Sequence, residues 1–427
     1  MLPTPPADLP DQDTIEDVPP PEPPHRKPLT AAALATMLAA LSMIGPFSID
    51  AYLPAFPNIQ ATLHATPLEV QQSLTFYMLA FAGMVLWHGA LSDAFGRRNV
   101  ILVSLAMFAI GTLGCASAHT VHYLWVFRIM QGVSAGAGVV VGRAIIRDLY
   151  EDAAAARLLS LVTMIFSIAP AIAPILGGWI VTLSDWRAIF LSLLAYSVLL
   201  FIFCYRRLPE TLPPEKRHPF NPRFLVRNYG EILRSPLFHF KTGVVALNFA
   251  GLFIYISAAP VFLPEQLQLG ASQFGWLFIP SVSGVFLGAL AANRMAGKMT
   301  FSRQIGIGFC FLLAASVFNL IYHVFLPPSL PWTVLPMLFY TFGMSVVAPG
   351  ATLLALDLFP HIRGTVASCQ SFAVTLLGAI VAGVIAPVLS HSALWLAAGQ
   401  TVFSASALVL WLTSRYYRSI LSRYPVR

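Results

Sequence analysis

Apolar residues run along this chain in long blocks rather than in amphipathic stripes. Segments 100–115, 191–205, 305–325 and 332–356 carry no ionised side chain. A helix that crosses a bilayer needs about 20 predominantly apolar residues, and the pattern supplies that length repeatedly. It predicts helices near 29–57, 70–90, 99–118, 121–146, 156–182 and 187–206, then near 241–263, 272–294, 303–325, 331–356, 364–388 and 391–414. The predicted fold is therefore an all-α membrane protein of twelve transmembrane helices. Its divisions are a tail (1–28), a first six-helix bundle (29–207), a linker (208–240), a second bundle (241–414) and a basic tail (415–427).

Composition supports the reading. The chain is 57% hydrophobic and 10% charged, against about 25% charged in soluble domains. A soluble protein of this make-up would expose large sticky patches. Residues 1–28 differ: ten prolines and six acidic residues cannot bury enough surface to fold, so disorder is expected. With no basic start, short apolar core and cleavage site, the segment does not read as a signal peptide. Cys115, Cys204, Cys310 and Cys369 are dispersed, which argues against a disulfide frame or a zinc site and for small packing residues.

The net charge of +7 raises nucleic acid as a partner, and its distribution rules this out. Threaded through twelve spans, 23 of the 25 Lys and Arg residues fall on one side. Excess Lys and Arg marks the cytoplasmic side, so both termini are expected there, in a bacterial inner membrane. Six spans on either side of one long hydrophilic loop suggest two halves that rock about a central site.

Certain segments carry candidate chemistry. The loop after the second helix reads Gly89-Ala-Leu-Ser-Asp93-Ala-Phe-Gly96-Arg97-Arg98. Gly89 is expected to let helices approach, and Gly96 to permit a tight turn. Asp93 is expected to accept from a neighbouring helix N-terminus, and the arginines to pair with acids. The plain alternative is a basic loop that only sets topology. The fourth helix holds Arg128-Ile-Met-Gln131-Gly132 and then glycines to Gly142, at spacings that suit close helix contact. The fifth holds Pro170, Pro174, Gly177 and Gly178, prolines that kink and glycines that pack closely.

The loop resembles the G-x-L-x-D-x-x-G-R-[KR] signature of the major facilitator superfamily, apart from Ala94, where many members are basic. The fourth helix is similar to the family's R-x-x-Q-G pattern, and Asp148 then resembles the acidic partner of the loop arginine. The fifth helix resembles the antiporter motif G-P-x-x-G-G, with Ala173 in place of its first glycine. Ser48-Ile-Asp50-Ala-Tyr52-Leu-Pro54 and Glu210-Thr-Leu-Pro213-Pro214 resemble the Bcr/CflA group of drug:proton antiporters. The resemblance runs from about Leu29 to the C-terminus and is most specific in the first half. It implies a monomeric exporter in the lipid bilayer, driven by the proton gradient without a cofactor.

Asp50 and Arg128 alone lie well inside predicted spans. Intramembrane charges usually mark functional paths. Each is about 10 Å inside the outer end of its helix, at 1.5 Å per residue. A proton carrier needs a carboxyl whose affinity for the proton rises on burial and falls beside a cation, and these two residues are the proton-coupling candidates. The alternatives are a helix-end Asp50 facing outer water and an Arg128 that clamps carbonyls between helices. His88 could titrate near neutrality and more often such a residue is simply interfacial. Tyr52, Gln131, Asn248, Tyr255, Tyr340 and Gln370 are candidates to line an adaptable apolar pocket. The expected function is proton-coupled export of small lipophilic or amphipathic compounds. Export of an endogenous metabolite or siderophore is the alternative on the same fold. A membrane enzyme or sensor is the remote one, since no catalytic or metal-ligand constellation is visible.

Overall fold

The computed structural model describes residues 30–217 and 219–423, and it builds twelve helices long and apolar enough to cross a membrane. Each coincides with a predicted span. The expected disorder of residues 1–28 and the last residues of the basic tail lie outside the described residues. An even number of spans returns the chain to the side from which it started, here called the terminal face; the opposite side is the far face.

Helix starts are written in the local sequence. Thr30 Oγ1 accepts from the Ala33 N–H at 3.2 Å, and Thr120 Oγ1 from Tyr123 N–H at 3.3 Å. Thr66 and Glu69 form a reciprocal capping box. Such caps satisfy N–H groups that the first turn leaves free. Proline, which lacks an N–H, sits at the breaks of the first and fifth spans (Pro54 and Pro170), and Gly136 sits at the break of the fourth. The first span runs Ala31–Asp50, passes through a 3₁₀ turn at Leu53–Ala55 and resumes at Phe56–Leu63, beyond its predicted end. The fourth divides into Val121–Ala135 and Ala137–Leu149, and the fifth into Asp152–Phe166 and Ala169–Leu183.

Two expectations need correction. The seventh helix begins at Pro236, capped by Ser235, which draws Lys241 more than a turn inside. Lys241 is 2% exposed, its Nζ 3.5 Å from Ser414 Oγ and 5.8 Å from the centre of the Trp411 ring. A charged residue is therefore buried in the second half as well. Cys310 is exposed while the other three cysteines are buried, so it does not serve as core packing.

Six helices form each bundle. The two bundles meet along the second and eleventh spans, where a Cβ on Gly378 would lie 2.8 Å from Met78 Cε. The linker is built rather than free. Its helix Pro222–Leu233 packs Ile232 with Phe238, Val366 and Cys369, and the Tyr229 hydroxyl donates to the Leu86 carbonyl.

Candidate functional site

Arg128 is fully buried at the centre of the first bundle. Its Nη1 donates to the Ser48 carbonyl at 3.1 Å and to Gln131 Oε1 at 2.9 Å. The guanidinium lies 4.7 Å from the centre of the Tyr52 ring and 4.4 Å from that of Tyr77. Cation–π contact of this kind is worth most when desolvated. Tyr52 is held in turn by Ser73, with 2.8 Å between the hydroxyl oxygens, and Gln131 Nε2 donates to Thr112 Oγ1 at 2.8 Å. One arginine thus ties together the first four spans, the clamp that the sequence left open as an alternative. Fourth-span glycines permit the approach: a Cβ on Gly132 would lie 2.2 Å from the Tyr77 carbonyl oxygen, and one on Gly138 2.4 Å from that of Leu41.

Asp50 ends the first helical segment and is 6% exposed. It is therefore not a helix-end residue facing outer water. Among the described residues it has no ion pair with Arg128 or any other cation. Tyr77 lies within electrostatic reach of both charges, and Arg128 Nε and Nη2 are buried without a partner. The two charges thus share a neighbour, and two polar atoms of Arg128 are unsatisfied. A buried polar atom without a hydrogen bond is costly and calls for a functional account. Sequence reasoning missed Tyr77 because nothing distinguishes it there from a packing aromatic.

Around the second loop, Arg97 is the hub. Its Nη1 binds Asp93 Oδ1 and, at 2.7 Å, Ser92 Oγ; its Nε donates to Asp148 Oδ2 at 3.0 Å. The Asp148 partnership implied by the resemblance is present. Asp93 does not cap a neighbouring helix, because Arg97 takes it. The helix N-terminus is met by Glu210 from the linker, whose Oε1 accepts from Arg97 N–H at 2.9 Å and whose Oε2 accepts from Arg98 N–H at 3.3 Å. Among the described residues Arg98 pairs with no acid through its side chain; Nη2 donates to the Tyr205 carbonyl at 2.8 Å. Gly96 has φ +91°, and a Cβ there would sit 2.4 Å from Glu210 Oε2. Gly89 has room: its Cβ would lie 3.8 Å from Val140 Cγ1, so close approach does not require it. Glu210 was legible only as part of a family-like segment.

Pro170 opens the far half of the fifth span and Pro174 lies within it. The pair of glycines after them is wedged on two sides. A Cβ on Gly177 would fall 2.0 Å from the Ala51 carbonyl oxygen, and one on Gly178 2.1 Å from the Ala271 carbonyl oxygen. Ala51 adjoins Asp50, and Ala271 begins the eighth span in the second bundle. The double glycine therefore links the backbone beside the buried carboxyl to the opposite bundle.

The six pocket candidates do not converge. Tyr52 and Gln131 belong to the Arg128 cluster. Tyr255 and Tyr340 lie in a polar network inside the second bundle: Asn319 Nδ2 donates to Tyr255 Oη at 2.7 Å and Tyr340 Oη to the Asn248 carbonyl at 2.8 Å. The Asn248 amide and Gln370 Nε2 are buried and unpartnered. Neutral side chains inside an apolar bundle pair with one another first, which drew four of these inward. His88 is buried and lines a cavity of about 540 Å³ with Met84, Asn99, Ser134 and Arg217. Among the described residues there is no group of His, Cys, Asp and Glu that could hold a metal ion.

Comparison with known proteins agrees with this architecture. The family model described as Major Facilitator Superfamily matches residues 32–383. A "bicyclomycin resistance protein homolog" of Haemophilus influenzae is 27% identical, over 90% of this chain and 96% of the relative. "Multidrug resistance protein D" of Escherichia coli is 29% identical, over 78% of this chain and 83% of the relative. Among solved structures, the human organic anion transporter MFSD10 (TETRAN) superposes with a TM-score of 0.68 at 20% identity, covering 90% of this chain and 100% of that one; at that identity the likeness concerns the fold. With the loop motif, the twelve spans and the family match over most of its length, the chain belongs to the major facilitator superfamily of membrane transporters.

Proposed function

We propose that this transporter is a proton-coupled antiporter that exports small lipophilic or amphipathic compounds, antibiotics among them, by alternating access. The observation that carries the reading is Asp50: a carboxyl buried without a cation, whose neighbouring backbone is pressed against Gly177. Intramembrane ionisable groups so placed mark ion paths. The names of the relatives, a bicyclomycin resistance homolog and a multidrug resistance protein, support drug-like substrates.

In this reading Asp50 carries the proton, and Arg128 fixes the electrostatic setting in which it does so. Tyr77 is the neighbour that the two share. Gly177 and Gly178 pass the state of the first span to the second bundle. The Arg97–Asp93–Asp148 cluster with Glu210 holds one arrangement of the terminal face. The protein acts as a monomer in a bacterial inner membrane, with its terminal face in the cytoplasm, where the excess of Lys and Arg belongs. The bundles correspond to 29–207 and 241–414, joined by 208–240.

Transport into inverted vesicles tests this across a panel of lipophilic compounds, with and without a pH gradient. Gradient-dependent uptake is expected for the wild type, and none for Asp50→Asn inserted at equal level. Full uptake by Asp50→Asn overturns the assignment.

A further inference from the structure

Two glutamines on the far half of the second span reach across to the other bundle. Gln71 Nε2 donates to the Ala382 carbonyl at 3.0 Å and to the Ser257 carbonyl at 3.2 Å, and Gln72 Nε2 donates to the Gly383 carbonyl at 3.0 Å. Gln71 is buried. These bonds join the second span to the seventh and eleventh, beside a cleft of about 500 Å³ lined in part by Leu68, Val261, Pro387 and His391.

The acceptors are prepared by the eleventh span itself. Residues Val381–Ile385 form a π-helical turn, in which Ala386 N–H bonds to the Val381 carbonyl five residues back. In an α-helix that N–H would serve Ala382. The next residue that might serve Ala382 is Pro387, which has no N–H. Pro387 is also the residue whose N–H would serve Gly383 in an α-helix. So the π turn and one proline free adjacent carbonyls, and these are the two that the glutamines take. Single π turns within α-helices are frequent at functional positions. Gly383 lets the second span come close enough, since a Cβ there would lie 2.7 Å from Thr75 Cγ2.

We infer that Gln71 and Gln72, docked on the proline-freed carbonyls of Ala382 and Gly383, form a latch that holds the far face closed. When the bundles separate on that side the carbonyls are offered to water instead, so the latch costs little to open and favours the closed state only while both elements are in register. The inference rests on alternating access and not on substrate or proton.

The test is a distance measurement between spin labels at Leu68→Cys and Val388→Cys, both at exposed positions, in full-length protein carrying Cys310→Ser, without substrate or gradient. The wild type is expected to show mainly one short distance. Gln71→Leu with Gln72→Leu is expected to raise the ratio of far-open to far-closed molecules at least about tenfold, at roughly fivefold per net hydrogen bond lost. Pro387→Ala restores an N–H that competes for Gly383 and removes no contact of the glutamines, so it is expected to shift the ratio in the same direction by a smaller factor. A distance distribution unchanged from wild type in either variant overturns the latch. A protein that shows no pH-driven export yet moves its label distances in this way would sink the antiporter reading and leave the latch standing.

Discussion

Gly178 and Ala271 touch across the two bundles with no space for a side chain between them: a Cβ on the glycine would lie 2.1 Å from the alanine carbonyl oxygen. No real Cβ sits that close to a backbone oxygen, so any substitution must push the fifth span and the start of the eighth apart. Gly178→Ala is expected to lower export at least about tenfold, the equivalent of a shift of about 1.4 kcal/mol, with little change in the unfolding temperature of the purified protein. Transport and thermal unfolding on the same preparation would check both halves.

Glu210 offers a different kind of prediction. It accepts from two N–H groups at the start of the third span, and loss of such a cap costs about 0.5–2 kcal/mol. Glu210→Ala should lower the unfolding temperature in detergent, and Glu210→Gln, which keeps an acceptor oxygen, should lower it less. Equal effects would mean that charge rather than capping matters.

Gly89 and Gly96 share a motif and part company in the structure. Gly96→Ala meets a positive φ and a clash with Glu210, whereas Gly89→Ala meets only ordinary contact with Val140. Gly89→Ala is expected to retain export and stability near wild type, and Gly96→Ala to lose both, measured side by side in vesicles and by thermal unfolding.

Arg128→Lys keeps the charge and loses the planar group between Tyr52 and Tyr77. A lysine cannot reproduce that stack together with two directed bonds. The expected destabilisation is about 1–3 kcal/mol, visible as a fall in the denaturant midpoint, alongside reduced export.

Asp50→Glu keeps a carboxyl and moves it by one methylene. In the antiporter reading it retains proton movement at a reduced rate. A pH-sensitive dye in the vesicle lumen should report substrate-induced proton flux for Glu and none for Asn.

The architecture was legible because bilayer burial imposes a coarse requirement, length without charge, that a single sequence displays openly. Asp50 and Arg128 stood out for the same reason, since each interrupts such a run. What the sequence hid were partnerships. Tyr77 is one aromatic among many until its ring is seen against Arg128. Glu210 lies more than a hundred residues from the N–H groups it caps, so no local pattern announces it. Lys241 was misjudged because the seventh helix starts a turn earlier than hydrophobicity alone suggests, at a serine cap followed by proline. The pocket candidates scatter for a further reason: a neutral amide in an apolar bundle pairs equally well with its own bundle or with a ligand, and composition does not distinguish the two.

The segment that carries Glu210 both connects the bundles and completes the first of them. A gene cut just after Arg207 to produce two co-expressed halves would leave that carboxylate on the wrong polypeptide, and the first fragment would carry an uncapped third helix. A cut within the segment between Arg217 and the helix Pro222–Leu233 would instead leave Glu210, Thr211 and Arg217 with the partners they contact. The contacts of the first bundle therefore run about ten residues past the end of its last membrane span.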